Sequence, residues 1–319
     1  LWSRNLPIGA DRGLITDRNG VVLAENITTT SLVVVPNQII DKESTANKLS
    51  EILNTNYDDM LKHLNKKTSI ERIHPEGRKL SFEIADKINS LNLDGVYLLK
   101  ESKRNYPYNN LLSHVLGYVG IDNQGLSGIE LAYDEYLKGE DGSIKYYSDG
   151  FGKKLEKATV YNSPQSGMNV ALTIDINIQQ AIENELDNVV TKYNPEQALI
   201  VVANPKTGEI YGMSSRPNFN PNEYNKYDLE TINRNLPIFN TYEPGSTFKV
   251  ISLASSIQEK TINLFEDKYF DSGSINVSGS RIKCWKHGGH GSQTFLQVVE
   301  NSCNLGVTTR TFLSSLITP

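Results

Sequence analysis

Two side chains three residues apart, Ser246 and Lys249, are the best candidates for covalent chemistry in this 319-residue chain. Glu243-Pro244-Gly245 precedes them and apolar residues 250–254 follow, so we predict that a helix begins at or just before Ser246. Positions three apart share one helix face. A serine needs an adjacent base to become a nucleophile, and burial can lower the pKa of a lysine enough to make it that base. A Ser-x-x-Lys sequence by itself also occurs on ordinary amphipathic helices.

A second pair, Ser302 and Asn304, lies downstream of this serine in Ser302-Cys303-Asn304. Residues 293–301 precede it and carry an apolar pattern that predicts a helix. Ser-x-Asn after Ser-x-x-Lys supplies two of the three elements of penicillin-binding proteins and class A β-lactamases. We predict that the Ser302 hydroxyl passes a proton between Lys249 and the leaving group, and that the Asn304 amide holds the backbone of a peptide substrate. The alternative is a solvated helix cap.

Two cysteines and two histidines lie close to these motifs: Cys284, His287, His290 and Cys303. Thiolates and imidazoles form the ligand set of closed structural zinc sites, so we predict a structural Zn²⁺ here. His290 is favoured over His287 because glycines flank it and let its loop fold back. Two other interpretations stay open. The Gly-His-Gly segment could be only a tight loop, or the cysteines could form a disulfide.

The remaining sequence predicts a mixture of short strands and helices. An Asn19-Gly20 turn predicts a hairpin, and apolar periodicity predicts the helices. The predicted helices are 44–53 with Ser44 as N-cap, 81–91, 129–137 closed by Gly139, and Asp175 to about Lys192; the predicted strands are 169–174, 197–203 and 209–213. The composition changes to loop residues at 162–167, and we place a domain boundary there.

Four segments of the amino-terminal half carry a resemblance to a known family. They are Arg12-Gly13-Leu14-Ile15-Thr16-Asp17-Arg18-Asn19-Gly20-Val21-Val22-Leu23-Ala24, Arg104-Asn105-Tyr106-Pro107, His114-Val115-Leu116-Gly117-Tyr118-Val119-Gly120 and Gly128-Ile129-Glu130. Together with the two serine motifs, they make the chain resemble the class B penicillin-binding proteins over essentially its whole length, and their sporulation-specific members in particular.

This resemblance implies an α+β chain of two domains. Residues 1–165 would form a mixed α/β, non-catalytic pedestal of the dimerisation type, and residues 166–319 a transpeptidase α/β sandwich. The family's third motif, Lys-Thr-Gly, follows Ser-x-Asn, but here Lys206-Thr207-Gly208 precedes Ser246 and lies in a predicted hairpin turn. We therefore interpret it as turn chemistry and expect the chain to be truncated before the true third motif, which would leave the fragment inactive.

The function implied is that of a serine D,D-transpeptidase. Ser246 would be acylated by peptidoglycan stem peptides ending in D-Ala-D-Ala, or by β-lactam antibiotics, with Lys249 as base and no cofactor for catalysis. A role in the spore cortex or the septal wall fits the resemblance. The alternatives are a β-lactam sensor and a scaffold on the same fold, in which catalysis is dispensable.

Composition and charge limit the partners. A net charge of −5, from 32 basic and 37 acidic residues, gives no indication of nucleic-acid binding. No apolar run approaches the roughly 20 residues needed to cross a bilayer. From the family we expect an extracytoplasmic position on the bacterial cell membrane, with a single amino-terminal anchor missing from this chain. A membrane glycosyltransferase and other cell-wall synthesis proteins are the expected partners.

Overall fold

The structure is a computed structural model that describes residues 2–148, 160–277 and 279–315. The predicted pedestal begins at residue 1 and the predicted transpeptidase domain ends at residues 316–319, and both of these positions lie outside the described residues. The chain divides into two compact units, Leu1–Asn240 and Thr241–Pro319. The predicted boundary at 165/166 falls inside the first unit and stays a prediction.

The described residues of the first unit form three sheets with helices packed against them. Its strands are β1 (Trp2–Ile8), β2 (Ile15–Thr16), β3 (Val22–Val34), β4 (Glu71–Arg72), β5 (Val96–Asn105), β6 (Gly142–Ser148), β7 (Val160–Asn162), β8 (Val170–Ala171), β9 (Ala198–Ala203) and β10 (Ile210–Arg216). They form the sheets β1-β6-β7 and β9-β10, and a five-stranded sheet of order β4-β3-β2-β8 in which β5 pairs with the long strand β3.

The helices of this unit confirm most of the predicted ones. They are α1 (Lys42–Leu53), α2 (Tyr57–Leu64), α3 (Phe82–Ser90), α4 (Ser113–Leu116), α5 (Gly128–Ala132), α6 (Asp134–Leu137), α7 (Ile176–Tyr193), α8 (Leu229–Asn233) and α9 (Leu236–Phe239). Ser81 and Asp175 cap α3 and α7 through their side chains, as Ser and Asp commonly do. Together these elements confirm the α+β class.

Two helix predictions need correction. The N-cap of α1 is Asp41 and not Ser44, because the Asp41 carboxylate accepts the backbone N–H of Ser44 at 2.9 Å. The predicted helix over 129–137 is two short helices, α5 and α6, which meet at Tyr133, where φ is −113° and ψ is 21°, outside the helical range. Apolar periodicity continues across this break, so the pattern alone did not reveal it.

Three of the family-like segments of the amino-terminal half meet in a buried ion-pair network. Both oxygens of Glu130, which is fully buried, accept from arginines: Arg12 Nε at 2.7 Å and Arg104 Nε at 2.6 Å. The hydroxyl of Tyr106 donates to the same carboxylate at 3.3 Å. Because a buried charge is costly without such partners, these residue types are explained by folding rather than by chemistry.

Lys206 lies in the turn between β9 and β10. The backbone N–H of Gly208 donates to Asn204 O at 2.8 Å, and the Asn204 side chain accepts the N–H of Lys206 at 3.0 Å. Gly208 has a φ of +79°, which favours glycine. The interpretation of Lys206-Thr207-Gly208 as turn chemistry is confirmed.

In the second unit, the residues that the structure describes form two small sheets and three α-helices. Its elements are α10 (Lys249–Gln258), β11 (Lys268–Asp271), β12 (Ser274–Val277), β13 (Ser280–Lys283), β14 (Gly291–Thr294), α11 (Phe295–Glu300) and α12 (Asn304–Ser315). Strand β11 pairs with β14 and β12 with β13. Phe295, Val298, Cys303 and Leu305 are buried at its core. Across the described parts of both units, no helix has the length and apolarity to span a membrane.

Candidate active site

The Ser246 motif lies at the start of α10. Gly245 has a φ of +56°, and residues Gly245–Phe248 form a 3₁₀ turn that continues directly into α10 at Lys249. Side chains three residues apart lie above one another on such a turn, so Ser246 and Lys249 share one face. Ser246 is exposed, and its hydroxyl makes no hydrogen bond to any residue that the structure describes. The predicted helix start at or just before Ser246 is confirmed.

The Lys249 amine contacts the second motif instead of the first. Its Nζ donates to Ser302 Oγ at 2.9 Å and to Ser302 O at 2.6 Å. Burial lowers the pKa of Lys249, and the opposing influence of the thiols of Cys303 and Cys284 is smaller. A lysine whose pKa is lowered in this way can act as a base nearer to neutral pH.

Ser302 lies in the tight connection between α11 and α12. The helix predicted over 293–301 begins at Phe295 in the structure, two residues later than predicted. Gln293 pairs with Tyr269 in the β-sheet, and Thr294 is the N-cap of α11. Ser302 adopts a φ of +48°, which is uncommon for a residue with a Cβ atom. Its backbone N–H donates to Val299 O at 2.9 Å. This backbone conformation presents both Ser302 oxygens to one amine.

Asn304 is the first residue of α12. Its side-chain amide donates to Lys283 O at 3.3 Å, at the end of strand β13. Asn304 is only partly buried and this hydrogen bond is exposed, so the side chain can exchange this backbone carbonyl for one of a bound peptide. The structure therefore brings three of the predicted residues, Lys249, Ser302 and Asn304, onto adjoining positions of one unit, with Ser246 one turn before Lys249.

A second cluster lies directly behind Ser302. Asp271, Cys284, His290 and Cys303 each offer one ligand atom, and these atoms all lie within 4.8 Å of one another. Asp271 Oδ2 is at the centre. It is 2.9 Å from His290 Nδ1 and accepts from Cys303 Sγ at 3.4 Å. The Cys284 sulfur is 3.3 Å from His290 Nδ1. Both cysteines are free thiols.

The ionisation of this cluster follows from its contacts. Burial acts to raise the pKa of Asp271, but hydrogen bonds from the Cys284 thiol, the His290 ring and backbone N–H groups outweigh it and hold that pKa well below its ordinary value. Burial and the hydrogen bond to Asp271 raise the pKa of Cys284 to about 11. Without a metal, therefore, the cluster contains a carboxylate and a protonated Cys284 thiol at neutral pH.

His287 does not belong to the cluster. It is exposed on the loop between β13 and β14, whereas His290 is largely buried. Asp271, which the sequence analysis did not predict, supplies the fourth possible ligand atom in place of His287. Asp271 ends strand β11, far from the Cys-His segment in sequence, and only the pairing of β11 with β14 brings it beside His290. No local motif could have indicated it.

Comparison with known proteins shows which family the chain is similar to. The family model described as "Penicillin-binding Protein dimerisation domain" matches residues 7–172, and the one described as "Penicillin binding protein transpeptidase domain" matches residues 198–311. Stage V sporulation protein D of Bacillus subtilis (strain 168) is 51% identical over 306 residues, which is 96% of this chain and 47% of that protein. FtsI of Escherichia coli (strain K12), a peptidoglycan D,D-transpeptidase, is 28% identical, over 94% of this chain and 51% of that protein.

Solved structures show the same fold. Penicillin-binding protein PBP2 from Helicobacter pylori, solved in complex with MreC, matches 98% of this chain and 65% of its own at a TM-score of 0.74 and 21% identity. A peptidoglycan synthetase from Bifidobacterium adolescentis ATCC 15703 matches 97% of this chain and 60% of its own at a TM-score of 0.69 and 22% identity. The chain spans about half the length of the curated relatives it matches. It belongs to the class B penicillin-binding proteins, with a dimerisation domain followed by a transpeptidase domain.

Proposed function

We propose that the protein containing this chain is a serine D,D-transpeptidase that cross-links peptidoglycan stem peptides and is acylated by β-lactams at the same serine. The observation that carries the proposal is the contact of Lys249 Nζ with Ser302 Oγ at 2.9 Å, one turn beyond an exposed Ser246. A partly buried amine, a second hydroxyl and a free hydroxyl at a helix start are the parts that serine acyl transfer requires.

In the proposed reaction, Ser246 Oγ attacks the carbonyl carbon between the two D-alanines and its proton passes to Lys249. Ser302 relays that proton to the nitrogen of the departing D-Ala as the C–N bond breaks. The acyl group then passes to an amine of a neighbouring stem peptide, which regenerates the Ser246 hydroxyl. With a β-lactam, the same attack opens the ring and leaves the acyl-enzyme. Asn304 would hold the peptide backbone.

The setting of the activity is proposed on similarity. The likeness to stage V sporulation protein D favours a role in wall synthesis during sporulation, and synthesis of the septal wall is the alternative. We place the protein on the extracytoplasmic face of the cell membrane, where its substrate lies. A membrane glycosyltransferase and other cell-wall synthesis proteins are the proposed partners; the H. pylori relative was solved with MreC.

The direct test is the release of D-Ala. The full-length gene product, incubated with a stem pentapeptide and an acceptor amine, should release D-Ala and form the cross-linked product, and benzylpenicillin should abolish both. Penicillin acylation without D-Ala release would favour the sensor. Absence of both, with cell-wall partners still bound, would favour the scaffold and contradict our proposal.

We further propose that Asp271, Cys284, His290 and Cys303 hold a structural Zn²⁺. Two thiolates, an imidazole and a carboxylate are donors that zinc accepts in tetrahedral sites, and the four atoms already lie within 4.8 Å of one another. Because Cys303 separates Ser302 from Asn304, a metal bond there would brace both side chains through the backbone. A site closed by four protein ligands leaves no position for a reactive water.

Protein purified without added metal should contain about one zinc per chain. Chelation should lower its Tm by about 5–10 °C, since binding energy contributes to folding. Cys284→Ser and Asp271→Asn should lose the metal, whereas His287→Ala, on the exposed loop, should keep it. Zinc-free parent protein, or loss of two hydrogens by mass from a Cys284–Cys303 disulfide, would reject this site and leave the acylation proposal intact.

A further inference from the structure

An exposed tryptophan touches the backbone directly before Ser302. Trp285 leaves 68% of its surface exposed, yet its indole Nε1–H donates to Asn301 O at 2.7 Å. Its ring packs edge-on against His290, with ring centroids 5.3 Å apart. An exposed indole can satisfy its N–H with water, so a short hydrogen bond to this particular carbonyl calls for an explanation beyond surface solvation.

The carbonyl that Trp285 binds belongs to the peptide group shared by Asn301 and Ser302. On the other side of that peptide plane, the N–H of Ser302 donates to Val299 O at 2.9 Å. Hydrogen bonds at both edges resist rotation of the plane. Rotation of this plane changes the φ angle of Ser302, which lies at +48° in a region that non-glycine residues seldom occupy.

The orientation of this peptide determines the contact with the lysine. At a φ of +48°, Ser302 O and Ser302 Oγ are 2.6 and 2.9 Å from Lys249 Nζ. A residue keeps an unfavourable backbone conformation only if its surroundings hold it there. The Asn301 side chain is also fixed, because its amide donates to Gln293 Oε1 at 3.1 Å. Trp285 provides the hydrogen bond on the carbonyl side.

We infer that Trp285 is a positioning residue for the proton relay, acting through Asn301 O on the backbone of Ser302. This inference rests on the proposed acyl-transfer function and adds a residue outside the two serine motifs. The essential group is the indole N–H. Removing it should slow acylation while leaving β-lactam binding before the chemical step nearly unchanged, because Trp285 acts on the relay and not on the ligand.

The test compares variants that remove the N–H with and without the ring shape. In the full-length protein, Trp285→Phe and replacement of Trp285 by β-(3-benzothienyl)alanine should each lower the acylation rate constant about tenfold, the loss expected for one hydrogen bond. The dissociation constant of the initial penicillin complex should stay within twofold. Trp2→Phe, which changes the chain's other tryptophan in β1, is the matched control and should behave like the parent.

Parental acylation rates in both Trp285 variants would overturn the inference. So would a loss seen with phenylalanine and not with benzothienylalanine, since it would assign the effect to ring packing. A second measurement needs no catalysis. Amide hydrogen exchange of residues 298–304 should be about tenfold faster in both variants, and unchanged exchange would also overturn the inference. A parent protein that no penicillin acylates would reject the proposed function, and the exchange experiment would still decide the role of Trp285.

Discussion

Replacement of Ser246 by alanine should abolish covalent labelling of the full-length protein by a fluorescent penicillin. The acyl bond forms on the Ser246 oxygen, and no other side chain can replace the attacking atom, so we expect a fall of at least about 10³-fold in the acylation rate. The side chain is exposed at a 3₁₀ turn and makes no hydrogen bond to the described residues. Its removal should therefore leave Tm nearly unchanged.

The matched control is another serine on the same helix. Ser255 is exposed on α10, where its hydroxyl donates to Ile251 O at 3.0 Å. Ser255→Ala should be labelled at the parental rate. Equal labelling of the parent and Ser246→Ala would assign the acyl group to a different residue. Mass spectrometry of the labelled peptide would then identify that residue.

Local patterns predicted the parts of the fold that local physics determines. Helices α3 and α7 begin where a capping side chain, Ser81 or Asp175, meets an apolar stripe, and both features lie within a few residues of each other. The turn at Lys206 was predicted for the same reason. Each of these elements satisfies its own hydrogen bonds, so its residue types carry the information.

Features that depend on distant partners could not be predicted in this way. Asp271 reaches His290 through strand pairing, and nothing near either residue indicates it. Strand β8 pairs in parallel with β2, and Asp17 accepts the first N–H of α7 at 3.2 Å. Residues beyond the predicted boundary at 165/166 are thereby joined to the amino-terminal half, although the composition changes at 162–167.

The candidate site, too, has parts that the local sequence predicted and parts that depend on distant partners. Residue spacing and the chemistry of the paired motifs pointed to Ser246, Lys249, Ser302 and Asn304 and to a role for each of them. The spacing placed the lysine beside Ser246, whereas the structure directs its amine to Ser302, because the φ of +48° at that residue turns two oxygens towards it. A positive φ at a serine is set by the surrounding hydrogen bonds and leaves no mark in the sequence.

Lys249 and Lys206 both lie in segments that match family motifs, but their replacement should have very different effects on the acylation rate. Lys249→Ala should lower acylation by at least about 10³-fold, because it removes both the base and the contact with Ser302. Lys249→Arg should be similarly impaired, since a guanidinium can donate to Ser302 but stays protonated. Lys206→Ala, in the β9–β10 turn, should acylate within about threefold of the parent because a turn residue takes no part in the chemistry.

The pH dependence of acylation gives the same lysine a second test. Lys249 acts as a base only when neutral, so the rate should rise as pH increases through its pKa and level off above it. Burial lowers that pKa, which places the rising limb below the pH range in which an ordinary lysine amine titrates. Lys206→Ala should keep the parental profile. A folded but inactive Lys206→Ala protein would show that Lys206-Thr207-Gly208 takes part in the chemistry after all. A rate that stays level until ordinary lysines titrate would show that Lys249 is not the base.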